Sequence, residues 1–212
     1  MIDRRRRAPR GEGERLREEI LAATERLLIS TGDAEAVSIR SVAEAVGVTP
    51  PSIYMHFSDK AELIFAVCER NFAAFDAILE EAGNSTGDPR ESLRRRGLAY
   101  VRFGIEHPEQ YRILFMSSTA ALPKDWTPER LVGTLVFDHH VAAVQRCIDA
   151  GEIAAGDPVL IATGLWAVVH GITSLLVAKR TVGWPVDELV GHLLSVTMRG
   201  LAPAEAAVHG AG

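Results

Sequence analysis

Apolar residues recur at helical spacing along almost the whole chain, and strand-like alternation does not occur. Leu16, Ile20, Ala23, Leu27 and Leu28 mark one face of a first helix from Glu14 to Thr31, which Gly32 is placed to end. Ser38 suits the N-cap of a short second helix with Ile39, Val42, Ala43 and Val46 on one side. Gly47 and Val48 predict a tight turn. Thr49 then caps a third helix whose first position, Pro50, needs no N–H. Ser58 is positioned to cap a fourth helix reaching about Ala82, with Asp59 and Glu62 at its positive end and Ile64, Val67, Phe72, Phe75, Ile78 and Leu79 turned inward. After a polar linker at 84–89, helical patterns follow at about 90–105, 108–116, 128–150, 158–180 and 186–201. His107-Pro108, Leu122-Pro123, Gly156-Asp157-Pro158 and Trp184-Pro185 separate them. The expected fold is all-α: an N-terminal three-helix unit containing a helix-turn-helix, and a C-terminal helical bundle.

Composition narrows the options. The 212 residues are 47% hydrophobic and 24% charged, too apolar for a disordered chain. The net charge of −5 hides an uneven distribution, since Arg4, Arg5, Arg6, Arg7 and Arg10 face one acid, Asp3, within the first ten residues. A basic arm is therefore expected over 1–13, without the apolar stretch of a secretory signal. Cys68 and Cys147 stand apart with no CxxC spacing, so no zinc site, no disulfide framework and no cofactor is expected, and the compartment reads as cytoplasmic. His139 and His140 adjoin Asp138, but neighbouring helical residues point about 100° apart, so the two histidines do not share an ion. Val159 to Ala178 carries no formal charge and is about long enough to cross a bilayer. Thr163, His170, Thr173, Ser174 and two glycines interrupt it, which suits a helix buried between two protomers and no membrane partner. No HExxH, GxSxG or glycine-rich phosphate loop is present, and no enzymatic role is expected.

Residues 38–60 read SIRSVAEAVGVTPPSIYMHFSDK. Two short helices about a glycine turn form the pairing whose second helix enters the DNA major groove N-terminus first. Thr49, Pro50, Pro51 and Ser52 lie at that leading end, within reach of base edges. Tyr54 and His56 follow as phosphate donors, and Arg40 and Lys60 add cations. Val42, Ala43, Val46, Val48, Ile53 and Phe57 are packing positions. Ala43, Gly47-Val48, Tyr54, His56-Phe57 and Asp59-Lys60 together resemble the DNA-binding domain of the tetracycline-repressor (TetR) family over about residues 14–65. Pro51 departs from that pattern, where a residue with an N–H is commoner.

The C-terminal half is less diagnostic. EHPEQYRILF at 106–115 and WAVVHGITSLL at 166–176 resemble a TetR subgroup marked by Trp, His and Gly, here Trp166, His170 and Gly171. The resemblance implies a homodimer joined through the last two long helices, with Leu165, Val169, Ile172, Leu175, Leu176, Leu189, Leu193, Val196 and Met198 at the interface and Gly164 and Gly171 allowing close approach. It also implies a regulator, a repressor of a palindromic double-stranded DNA operator, released by a small hydrophobic effector. Tyr100, Phe103, Tyr111, Phe115, Phe137, His140 and Trp166 are the expected pocket residues, although plain core packing is the commoner role for residues of these kinds. The organisation expected is a basic arm at 1–13, a DNA-binding domain at 14–60, a ligand-binding and dimerisation domain at 61–201, and a frayed tail at 202–212.

Overall fold

The computed structural model describes residues 12–115, 132–179 and 183–203. The arginines at 4–10, Leu122-Pro123, the start of the pattern at 128 and the tail from 204 lie outside them. The helices are α1 (Glu12–Thr31), α2 (Ile39–Val46), α3 (Pro50–Tyr54), α4 (Lys60–Asn84), α5 (Pro89–Glu106), α6 (Pro108–Phe115), α7 (Val132–Asp149), α8 (Pro158–Ala178) and α9 (Val186–Gly200). Among the described residues there is no strand.

The chain forms two compact units. The first contains α1 to α3, α4 as far as Asn71, and residues 112–115 of α6. Its core closes around Ile20, Leu21, Val42, Ile53, Phe57 and Val67, all at most 2% exposed. Leu63, Ile64 and Cys68 of α4 join that core, which is why the unit extends past residue 60, where the sequence placed the boundary. Local chemistry fixes the turns. Ser38 Oγ accepts the Ser41 N–H at 3.1 Å while Ser41 Oγ accepts the Ser38 N–H at 3.0 Å, closing the start of α2. Gly47 takes φ +73°, in the left-handed region, and the Val48 N–H returns to the Ala43 carbonyl at 2.9 Å. A side chain there would be strained, and glycine is not. At the start of α4 the cap is Asp59, not Ser58. Its carboxylate accepts the Glu62 N–H at 2.9 Å, and Glu62 in return accepts the Ser58 N–H at 2.6 Å. Arg70 ties α4 to α1 through ion pairs with Glu25 and Glu18.

The second unit contains α4 from Phe72, α5, residues 108–111 of α6, and α7 to α9. Asp88 and Asp157 cap α5 and α8, accepting the Arg90 N–H at 3.0 Å and the Val159 N–H at 2.9 Å. Leu93, Val144, Cys147, Ile153, Ala162 and Leu165 form one core cluster. Helices α5 and α8 touch closely at Gly104, where a Cβ would fall 2.1 Å from Thr173 Cγ2. The nearly buried Arg96 pairs with Glu80.

Helix α8 corrects one expectation. Leu165, Val169, Ile172 and Leu176 are buried inside this unit, so they offer little surface to a partner. Leu189 and Leu193 are half-buried and Met198 is buried, while Leu175 and Val196 are exposed. The outward face of α8 carries Leu160, Gly164, Ala167, Gly171 and Leu175, and Gly164, Gly171 and Leu175 were among the positions expected at the interface. An all-round apolar helix gives no phase in its sequence, so the expected positions fell on both its covered and its outward sides.

A helix-turn-helix surface and a polar aromatic chain

The Ser38 cap, the Gly47 turn and the buried Ile53 and Phe57 together hold α3 against α2. Residues expected to pack do so: Val42, Ala43, Ile53 and Phe57 are buried, and Val46 and Val48 half-buried. Thr49, Pro50, Pro51, Tyr54 and Arg40 are exposed, and His56 and Lys60 are half-buried. Ser52 departs from its expected role. It is 7% exposed, and its hydroxyl lies 3.2 Å from that of Thr49, so it steadies the start of α3 instead of offering itself outward. Lys60 is engaged as well. Its Nζ donates to the Glu35 carbonyl at 3.2 Å and lies 3.5 Å from the Glu35 carboxylate. The carboxylate is largely exposed, so the pair is weak and its cation can be drawn to a stronger anion. Met55 is 81% exposed beside Tyr54 and presents an apolar, polarisable tip on the same surface. Arg17 lies 5.2 Å above the Phe57 ring, covering the core from outside.

In the second unit, α5, α6 and α8 bring five polar side chains together. Trp166 Nε1–H donates to the Tyr100 hydroxyl at 3.3 Å. Tyr100 and Tyr111 place their hydroxyls 3.0 and 2.9 Å from His170 Nδ1. The Tyr111 hydroxyl also lies 3.1 Å from Ser174 Oγ. Burial lowers the His170 pKa, so the ring favours the neutral form. Its Nδ1 lone pair then accepts a tyrosine proton, which places the ring hydrogen on Nε2. Burial raises both tyrosine pKa values, keeping the hydroxyls protonated. Aromatic walls enclose the chain: Phe75 stands edge-on to Tyr100 at 5.2 Å, Phe103 lies 4.8 Å from Phe75, and Phe137 meets Trp166 at 6.3 Å.

Six of the seven expected pocket residues therefore lie in one unit: Tyr100, Phe103, Tyr111, Phe137, His140 and Trp166. Phe115 falls in the other. His140 donates Nε2–H to the Ala162 carbonyl at 3.1 Å, and burial depresses its pKa too. His170 and Ser174 complete the polar chain but were absent from the expected pocket. The i, i+4 spacing of the two on α8 was readable, whereas their meeting with Tyr100 and Tyr111 was not. A cleft of about 490 Å³ between α4 and α5 touches Phe103 but none of the other expected pocket residues; Arg95, Arg102, Glu81 and Glu106 give it a charged rim.

Comparison with known proteins bears on both regions. Residues 20–67 match the family model described as bacterial regulatory proteins, tetR family, and residues 93–197 match that for a tetracyclin repressor-like C-terminal domain. The HTH-type transcriptional activator FasR of Mycolicibacterium smegmatis is 30% identical over 163 residues, covering 76% of this chain and 71% of that protein. The HTH-type transcriptional repressor BepR of Brucella suis biovar 1 is 31% identical over 150 residues, covering 70% of this chain and 58% of that protein. A solved structure of a protein with unknown function from Rhodococcus sp. RHA1 is 30% identical, with a TM-score of 0.79 over 93% of this chain and all of that one.

Proposed function

Because the chain belongs to the tetR family of bacterial regulatory proteins, we propose that it is a homodimeric repressor of a palindromic operator, released when a small hydrophobic molecule binds its C-terminal helices. As a member of that family it is a DNA-binding regulator of transcription. The observation that best supports the reading is the division of labour in residues 38–60. Every expected packing residue is turned inward, while Thr49, Pro50, Pro51, Tyr54 and Arg40 stay exposed. Tyr54, His56, Arg40 and Lys60 then serve as phosphate contacts, with Thr49, Pro50 and Pro51 at the base edges. Met55 joins them as an apolar contact.

One such element reads too few base pairs to be selective. Two of them, roughly 34–36 Å apart in a dimer, read one turn of a palindrome. The outward face of α8, from Leu160 to Leu175, with Val196 of α9, is the surface assigned to the partner. The effector would displace or join the hydrogen bonds among Trp166, Tyr100, His170 and Tyr111. Helix α4, which supplies residues to both units, carries the response. No catalytic reaction is assigned, and the site of action is the cytoplasm, where the operator lies.

FasR is named an activator and BepR a repressor, so the sign is tested separately from DNA binding. Anisotropy titration of the full chain against DNA upstream of its own gene, at two salt concentrations, should give tight, salt-sensitive binding with two protomers or a multiple per site. A reporter driven by that DNA should fall when the protein is present. Binding no tighter than to unrelated DNA overturns regulation at this site, and a rising reporter overturns repression alone.

A further inference from the structure

Helix α4 from Phe72 and helix α7 carry a second group of titratable side chains, apart from the polar aromatic chain. Asp76 and Glu80 are four residues apart and share one face of α4. His139 reaches them from α7. Its Nδ1 lies 2.9 and 3.1 Å from the two Asp76 carboxylate oxygens and 3.6 Å from Glu80 Oε1. One donor atom from each residue can be chosen so that all three lie within 4.8 Å of one another.

We propose that Asp76, Glu80 and His139 bind one divalent transition-metal ion of the zinc or cobalt kind. With metal–ligand bonds of about 2.0–2.2 Å, tetrahedral geometry puts donor atoms about 3.3–3.6 Å apart. The separations here need only a small adjustment to reach that range. One imidazole nitrogen and two carboxylate oxygens suit zinc, cobalt, nickel or manganese and not a thiophilic ion. Two carboxylates beside one guanidinium leave a single negative charge to meet a dication. Arg96 and Asn84 both hydrogen-bond Glu80, as outer partners of a metal-ligating carboxylate do, and fix its direction. His140 is no ligand, because its Nε2–H points to Ala162. Three protein donors leave a coordination position for water or for an oxygen atom of a small molecule.

The experiment uses the full chain, stripped with a chelator and titrated with Co2+ and then Zn2+. The expected result is one ion per protomer, visible d–d absorption without thiolate charge transfer, and displacement of Co2+ by Zn2+. Asp76→Asn and His139→Gln should each weaken binding at least about tenfold, and His140→Gln should not. X-ray absorption at the zinc edge of the wild-type protein should show nitrogen and oxygen donors only, a result independent of whether any variant folds. Failure to bind either ion, affinity unchanged in both ligand variants, or sulfur at the metal overturns the site. Operator affinity measured without metal is a separate quantity, so loss of the metal site leaves the DNA-binding reading untouched.

Discussion

The hydroxyl of Tyr111 stands 2.9 Å from Nδ1 of His170, joining a side chain that is fully buried on α6 to the middle of α8. Tyr111→Phe keeps the ring and deletes the bond. We expect a loss of about 1 kcal/mol in unfolding free energy, with helix content unchanged. Urea unfolding followed by circular dichroism reads it directly, and stability equal to wild type would show that the hydroxyl contributes no net interaction.

The two inward histidines set an acid limit. Burial puts the folded-state pKa of His140 and His170 below 6.5, so in mild acid the unfolded chain takes up protons first. Their contribution is fully present above about pH 6.5 and is lost as pH falls through the lowered values. Glu80 and Glu91 act in a lower window, below 4.5, with Glu91 held down to about 2 by Arg94 and Arg95. The melting temperature should therefore drop between about pH 7.5 and pH 5, and His140→Gln should shrink that drop. An equal drop in the variant would remove His140 from the explanation.

Gly104 and Gly171 should respond oppositely to one methyl group. A Cβ on Gly104 would fall 2.1 Å from Thr173 Cγ2, whereas one on Gly171 meets nothing described within 4 Å. Gly104→Ala should cost about 1–3 kcal/mol. In the unpaired chain Gly171→Ala should be neutral or stabilising by up to about 1 kcal/mol through helix propensity. Denaturant midpoints of the two variants, compared at a concentration where dimers dissociate, decide the matter.

If the outward face of α8 meets a partner, charge placed there should separate the protomers. Leu160→Glu and Leu175→Glu alter exposed positions and should leave the monomer folded while shifting the sedimentation profile toward it. Persistent dimers in both variants would move the interface elsewhere.

On DNA, the phosphate contacts should differ in their salt signature. Arg40→Ala should lower the slope of log affinity against log salt by about one unit. Tyr54→Phe should weaken binding without changing it. Lys60→Ala should fall between the two, because its ammonium must first leave Glu35. Parallel anisotropy titrations of the three variants check all of these, and three unchanged slopes would remove Arg40 and Lys60 from the phosphate contacts.

The elements most legible in the sequence are those fixed by chemistry within a few residues. The Ser38 cap, the Gly47 turn and Pro50 at the first position of α3 all stand where their side chains require. Even so, Ser58 and Asp59 compete for one cap, and the choice turned on which oxygen reached the Glu62 N–H. Relationships set by packing were hidden. Leu165, Val169, Ile172 and Leu176 read as interface because α8 is apolar on every side, and only the position of α5 and α7 shows which face is already covered. Ser52 looked like a reader and is instead tucked against Thr49. The meeting of His170 with two tyrosines from other helices, and of His139 with two carboxylates, depends on separations of about sixty residues, which no local spacing encodes.

Pro50 and Pro51 open α3 with two consecutive residues that have no N–H. An ordinary helix start presents several amide hydrogens to water and must shed part of that hydration to pack against base edges in the major groove. Here two of those hydration sites do not exist, and the Ser52 N–H is already spent on the Thr49 carbonyl at 2.8 Å. In the proposed DNA complex the edge turned toward the groove is consequently a dry one, with ring methylenes where amides would stand. Dehydrating it costs little, and it suits an edge rich in thymine methyl groups better than one lined with exposed polar atoms.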